Sequence, residues 1–312
     1  MRTINTNREL HLNGYINELV LLANKQATEL YSKYCTIEKS TNAYDRITGI
    51  SGVSAPIVTG SGENFPIVDF ATPQTLDVTY SKRAQKYLVA HEAIYTSKVG
   101  KGELAGMEDV VSKPTSLMTM SFREAKELTA ANLLTLGHTA PSSSGTPTLD
   151  NLALFSASHT LNGGATFSNT GVTALSYDAV EAAIQVMKGH KTYMNTPWFY
   201  AGKYNLITPA GLALKDQRIV ASTLLPGTAG TGAANDINPV NGMLVAINNP
   251  FLTDSNNWYL VKAEDSPLVI RTRMPFEIKY KADYSDGGDA ILAHEEWAGY
   301  AKAPQHTFGS NV

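Results

Sequence analysis

His91 and Glu92 begin like the His-Glu-x-x-His helix of zinc hydrolases, where two imidazoles four residues apart share one helix face and hold the metal. The position four residues on is Tyr95, and the two-residue alternation around it suits a strand, so the second ligand is missing. Ser158 and His159 pair a nucleophile type with a base type. Adjacent side chains rarely aim at each other, however, and no Gly-x-Ser-x-Gly turn is present to expose the serine. A loop serine and a hydrogen-bonded histidine are the plainer reading.

The run Gly227-Thr228-Ala229-Gly230-Thr231-Gly232 is rich enough in glycine to cradle a phosphate, but it follows a helical pattern and lacks the Gly-Lys-Ser/Thr ending. It reads as a flexible loop. Asp283, Asp286 and Asp289 bracket two glycines and could gather a hard cation, with an ordinary hairpin turn as the alternative. Glu295 and Glu296 sit side by side on a strand pattern, so they point to opposite faces and cannot act together as acid and base. Cys35 is the single cysteine, which excludes an intrachain disulfide and a cysteine-based zinc site. No nucleophile, metal or nucleotide constellation emerges, and no cofactor is expected.

At 312 residues the chain can hold one large or two ordinary domains. Its 43% hydrophobic content suffices for a core, while 17% charged residues is below the roughly 25% usual in soluble domains, so much of the surface is uncharged. The net charge of −3 and the lack of Lys/Arg runs argue against a dedicated nucleic-acid binder. Any contact with DNA is expected to be weak and non-specific. The first residues are polar, and no apolar run approaches the ~18 residues that span a membrane, so neither a standard export signal nor insertion is expected.

The elements that must position these residues come in an unusual order. Residues 7–34 carry Leu10, Ile16, Leu19, Leu22, Ala23, Ala27 and Leu30 at mostly helical intervals. Past Ser40 the chain turns to Gly, Ser, Pro and Thr and becomes a long extended excursion with Gly60-Ser61-Gly62 near its tip. Alternation at Leu76, Val78 and Tyr80, and again from Tyr87 to Tyr95, predicts two strands that form a hairpin-like loop. Ser112 as N-cap and Pro114 in the first turn then predict a helix to about residue 136, a rod of about 33 Å.

Two shorter helices follow, one capped by Ser176 and carrying Val180, Ala183, Ile184 and Met187, the other capped by Thr208 with Pro209 at its first position. Buried strands at 204–207, 243–247 and 258–261 make this region an α/β layer. The C-terminal part returns to strands, with Phe276, Ile278, Tyr280, Ala282 and Tyr284 on one face, a turn at 285–289 and a second strand over 290–301.

This order is α+β and resembles the Hong Kong 97-type fold of tailed-phage major capsid proteins. Leu154-Phe155-Ser156-Ala157-Ser158-His159, then Asn169 and Leu175-Ser176, look like a stretch of the Mu-type major head subunit family. Tyr204-Asn205-Leu206-Ile207-Thr208-Pro209, Asn249-Pro250-Phe251-Leu252-Thr253-Asp254 and Asn257-Trp258-Tyr259-Leu260 are similar to later parts of it. The resemblance implies an N-terminal arm over 1–44, an E-loop over 45–100 and a P-domain with its spine helix over 101–172. It further implies an A-domain over 173–261 and P-domain return strands over 262–312.

A major capsid protein is the function so implied: a virion shell of pentamers and hexamers enclosing double-stranded DNA, assembled in the host bacterial cytoplasm. The chain itself would be the main partner, with a portal and a scaffold or decoration protein as others. The working residues would be interfacial rather than catalytic, with Gly60, Ser61, Gly62 and Glu63 at the E-loop tip and Gly227, Thr228, Gly230 and Gly232 around the capsomer centre. Related shells are sometimes locked by Lys–Asn isopeptide bonds, but nothing in the sequence brings Lys82 or Lys86 to an asparagine. Relatives often lose a long charged N-terminal segment to a protease; only residues 1–44 precede the excursion here, so no such processing is expected. The alternatives are an encapsulin-like compartment shell, another virion structural protein, or a serine hydrolase using Ser158 or His159.

Overall fold

The computed structural model describes residues 11–21, 29–48, 64, 74–90, 103–161, 164–193, 196–197, 200–224, 237–283 and 288–312. Two sheets organise it. The first has four strands in the order β1 (Thr36–Lys39), β11 (Leu268–Asp283), β12 (Gly288–Ala301) and β4 (Ser81–Ala90). β1 runs parallel to β11 and the other pairs are antiparallel. Pro275, which has no N–H to give a ladder, falls where the β11–β12 register shifts between Met274 and Glu277.

One face of this sheet is covered by helix α2 (Glu103–Thr135). Met118, Phe122, Ala130, Leu133 and Leu134 from the helix close on Ile278, Tyr280, Ile291, Ala293 and Trp297 in a single buried cluster. A buried ion pair between Lys126 and Glu295, and the Trp297 ring N–H donating to Thr129 Oγ1 at 3.1 Å, add polar ties across the same interface. Ser112 is not the N-cap that its pairing with Pro114 suggests: the helix begins at Glu103 and carries Pro114 in its interior. Thr115 and Ser116 donate their hydroxyls to carbonyls one turn back, Val111 O at 2.8 Å and Ser112 O at 3.1 Å, a pattern suited to a helix bent at proline. At 33 residues the rod is about 50 Å long rather than 33 Å.

The N-terminal helical pattern does not carry through to residue 34. Residues 11–21 form helix α1, whose Leu12 and Ile16 are fully buried against the same core. Asn13 Oδ1 accepts the backbone N–H of Tyr280 at 2.8 Å. Where the helical pattern should run on to residue 34, the chain instead makes a single 3₁₀ turn at Tyr31–Lys33 and enters β1. Burial of Tyr31 and Tyr34 and contacts from α2 override local propensity there.

The second sheet has the order β7 (Thr170–Gly171), β13 (Thr307–Ser310), β10 (Trp258–Lys262), β8 (Tyr204–Thr208) and β9 (Leu244–Asn248). Helix α3 (Tyr177–Gly189) packs on it through Val180, Ala183, Ile184 and Met187, and Ser176 caps it by accepting the Ala179 N–H at 3.1 Å, as the spacing predicts. Helix α4 (Ala213–Ala221) starts later than predicted. Thr208 caps nothing: it ends β8 and donates its hydroxyl to the buried Asp216 on α4, while Pro209 leads into a 3₁₀ turn at Ala210–Leu212.

The strands expected to form one hairpin pair with different partners. β3 (Thr75–Thr79) pairs with β2 (Tyr44–Thr48), so the excursion is closed at its own root, whereas β4 belongs to the edge of the four-stranded sheet. Small strands β5 (His159–Thr160) and β6 (Thr166–Phe167) complete the assignment among the described residues.

Candidate assembly surfaces

The β2–β3 hairpin is fixed to the molecule at its base. Ile47, Leu76 and Val78 pack against Val269, Ala298 and Tyr300, on the sheet face opposite α2. Asp45 is buried beneath them. It accepts from Asn42 Nδ2 at 2.7 Å and from the Tyr80 hydroxyl, with Arg271 Nε 3.4 Å away. Hydrogen bonds from Ser40 and Tyr80 lead the effects that hold its carboxyl down to about 2. Arg46 and Asp77 make a bidentate pair across the strands at 2.7 and 2.9 Å, exposed and therefore weak by itself. The root thus ties residues 49–73 to the sheet; Gly60, Ser61, Gly62 and Glu63 lie outside the described residues.

The second expected contact loop also lies outside the description, but its base does not. Gly227, Thr228, Gly230 and Gly232 fall between Leu224 and Ile237, which form an antiparallel bridge and are 45% and 80% exposed. Asn238 holds the exit of the loop. Its Nδ2 donates to the carbonyls of Ile219 and Ser222 at 2.9 Å each, and its Oδ1 accepts the Val240 N–H at 3.0 Å. Sequence reasoning passed over Asn238; a buried-side asparagine two residues before Val240 on the return from a glycine-rich stretch is the signal that could have marked it.

The residues with chemical potential are committed to structure. His159 is buried with Nδ1 2.5 Å from Asp150 Oδ2 and Nε2 3.2 Å from the Leu154 carbonyl, so neither nitrogen is left to activate Ser158. Glu295 and Glu296 separate as the alternation predicts, the first reaching Lys126 under α2 and the second Arg273 on the opposite side at 2.8 Å. Asp289 is buried and accepts the Tyr280 hydroxyl, while Asp286 and the segment from His91 to Tyr95 lie outside the described residues. Among the described residues, no three His, Cys, Asp or Glu side chains gather in a set that could hold a metal ion. Cys35 is buried, and desolvation pushes its thiol well up.

Asn169 is the main joint between segments. It accepts the Ser156 N–H at 2.9 Å and donates to the carbonyls of Leu154 at 2.8 Å and Pro304 at 3.0 Å. His190 bridges nearby, between the Gln305 carbonyl at 2.8 Å and the Ser168 carbonyl at 3.0 Å. The motif residues His159 and Asn169 therefore hold the fold together.

Comparison with curated protein sequences gives no match. Among solved structures, the capsid of an empty GTA particle is similar at a TM-score of 0.55 and 10% identity, covering 92% of this chain and 91% of that one. The capsid of Cyanophage P-SCSP1u is similar at 0.52 and 9% identity, covering 91% and 88%. A chain of the satellite phage P4 procapsid is similar at 0.50 and 10% identity, covering 95% and 90%. At such identities the likeness is one of fold, that of the Hong Kong 97-type shell subunits. The phage capsid protein family matches residues 74–303, from the start of the β2–β3 root's second strand to just past β12. On that match, the chain belongs to the phage capsid protein family.

Proposed function

We propose that this chain is the subunit from which the icosahedral head of a tailed phage is built, arranged in pentamers and hexamers around double-stranded DNA. The observation that carries the reading, beside family membership, is the rooted hairpin. A two-stranded hairpin is marginal alone, and the described part of this one, its base, is packed on the subunit's own sheet. An extension of this kind gains its remaining contacts from neighbouring copies, as heterologous packing in a closed shell requires. The phrases at 154–159, 169 and 175–176 support the narrower kinship with Mu-type head subunits.

The same reading takes residues 1–44 as an arm, 49–73 as the projecting loop, and the two sheets as the P- and A-domains. Portal, scaffold or decoration proteins would be its other partners, and assembly in the bacterial cytoplasm fits a chain with a single cysteine. Electron microscopy of the purified protein tests the proposal. Closed particles or capsomers are expected; a long-lived monodisperse monomer under assembly conditions overturns it.

A further inference from the structure

Asparagine is followed by glycine at Asn13-Gly14, Asn162-Gly163 and Asn241-Gly242. This pairing exposes the asparagine to attack by its own backbone, because the glycine nitrogen has no neighbouring Cβ to shield it and the glycine backbone turns freely. The reaction needs an uncommitted carboxamide, a following N–H that no acceptor holds, and water at hand. Local chemistry is the same at each pair, so the fold decides which of them can react.

Asn13-Gly14 is held back. It lies inside helix α1, and Asn13 Oδ1 accepts the Tyr280 N–H at 2.8 Å. Asn162-Gly163 lies outside the described residues. Asn241-Gly242 meets every requirement. Both residues are exposed, in the turn that leads from Asn238 to β9. The turn is closed around them, with the Asn241 N–H donating to the Asn238 carbonyl at 3.2 Å and the Met243 N–H to the Val240 carbonyl at 3.1 Å. Among the described residues, none engages the Asn241 carboxamide or the Gly242 N–H. Gly242 has a φ of +83°, and nothing stands within 4 Å of the position a Cβ would take, so its nitrogen is open to solvent.

We propose that Asn241 is a site of spontaneous deamidation in the folded subunit. The Gly242 nitrogen gives its proton to solvent base and attacks the Asn241 Cγ. A C–N bond forms, the Cγ–Nδ2 bond breaks, and ammonia leaves with a proton from solvent. The cyclic imide then takes up water at either of its carbonyls, giving isoaspartate or aspartate, and no oxidant or cofactor is needed. Each event places a carboxylate at the exit of the loop whose base is the Leu224–Ile237 bridge, in a chain already at net charge −3. Isoaspartate also lengthens the main chain in the turn that Asn238 anchors by accepting the Val240 N–H.

Peptide mass spectrometry tests the site on the full-length protein, incubated in mildly alkaline buffer made with heavy-oxygen water, beside the same protein in denaturant. Digestion in acid keeps the workup from adding product, and the incorporated label marks what formed during incubation. In denaturant, Asn13 and Asn241 should both convert. In the folded protein Asn241 is expected to convert at close to its denatured rate, with isoaspartate as the major product, while product at Asn13 is lost because that residue reacts only when α1 opens. Protection of Asn241 as strong as that of Asn13 overturns the proposal, since the fold then commits the turn after all. Labelled aspartate without isoaspartate overturns it as well, because direct hydrolysis of the side chain does not pass through the Gly242 nitrogen.

Discussion

The carboxylate of Glu127, in the C-terminal half of α2, accepts the backbone N–H of Tyr31 at 3.0 Å across 96 positions of sequence. Its other oxygen accepts the Leu30 N–H at 2.6 Å. Glu127 thus caps the 3₁₀ turn at Tyr31–Lys33 from outside and ties the segment before β1 to the long helix. Deleting it strands the buried Tyr31 N–H and the half-buried Leu30 N–H, so Glu127→Ala should destabilise the subunit by about 1–3 kcal/mol in denaturant unfolding.

The pH dependence of that contact has a definite sign. Burial, with Glu29 adding to it, raises the Glu127 carboxyl above its ordinary 4.5 against the opposing pull of the two N–H groups. The folded state therefore holds this proton more tightly than the unfolded chain does. Its contribution is fully present below the ordinary value and is lost as pH rises through the raised one. Glu127→Gln keeps an acceptor but cannot titrate. Stability curves of the two proteins should converge as pH falls and separate toward neutrality; parallel curves would refute the linkage.

Asp45 behaves in the opposite sense. Its folded value of about 2 lies below the ordinary 3.8, so its contribution is present above 3.8 and disappears as pH falls through about 2. Asp45→Asn should weaken the hairpin root at neutral pH and matter progressively less toward pH 2. Proteolysis between Thr48 and Thr75, followed by mass spectrometry, reads the root directly: faster cleavage is expected in Asp45→Asn and in Arg271→Ala, with the rest of the subunit intact.

Much of this architecture is legible from side-chain period alone. All four residues picked for α3, Val180, Ala183, Ile184 and Met187, are buried, and the split of Glu295 from Glu296 follows from strand alternation. The misses have one physical form. Pro114, Thr208 and residues 29–34 carry local signals that distant partners overrule: an intact helix running in from Glu103, the carboxylate of Asp216, and Glu127. Contact surfaces are harder to read, because a neighbouring subunit leaves no periodicity in this chain.

Removal of residues 55–73 separates folding from assembly. The hairpin root packs through residues outside that segment, namely Ile47, Leu76 and Val78, so the sheet and α2 should form normally. A folded subunit with native-like circular dichroism but no particles is expected by electron microscopy. Particles of ordinary size from the shortened chain would show that residues 55–73 are dispensable for assembly.

Asn169 offers the most demanding test of the joint between the segments. It is fully buried, and its amide serves the Ser156 N–H and the carbonyls of Leu154 and Pro304 at once, so no single replacement can satisfy all three. Asn169→Ala leaves the Ser156 N–H unpaired, takes one donor each from the Leu154 and Pro304 carbonyls, which keep His159 and Thr307, and opens a small void. A loss of about 2–4 kcal/mol is expected, at the upper end for a buried polar truncation. Asn169→Asp keeps the acceptor for Ser156 but replaces the donating NH2 with a carboxylate oxygen that faces two carbonyls. At neutral pH it should be at least as damaging as alanine, and it should recover as the buried carboxyl is protonated in acid. Thermal unfolding of both variants between pH 4 and 8 decides the matter, because a merely steric role for Asn169 predicts two profiles with the same pH slope.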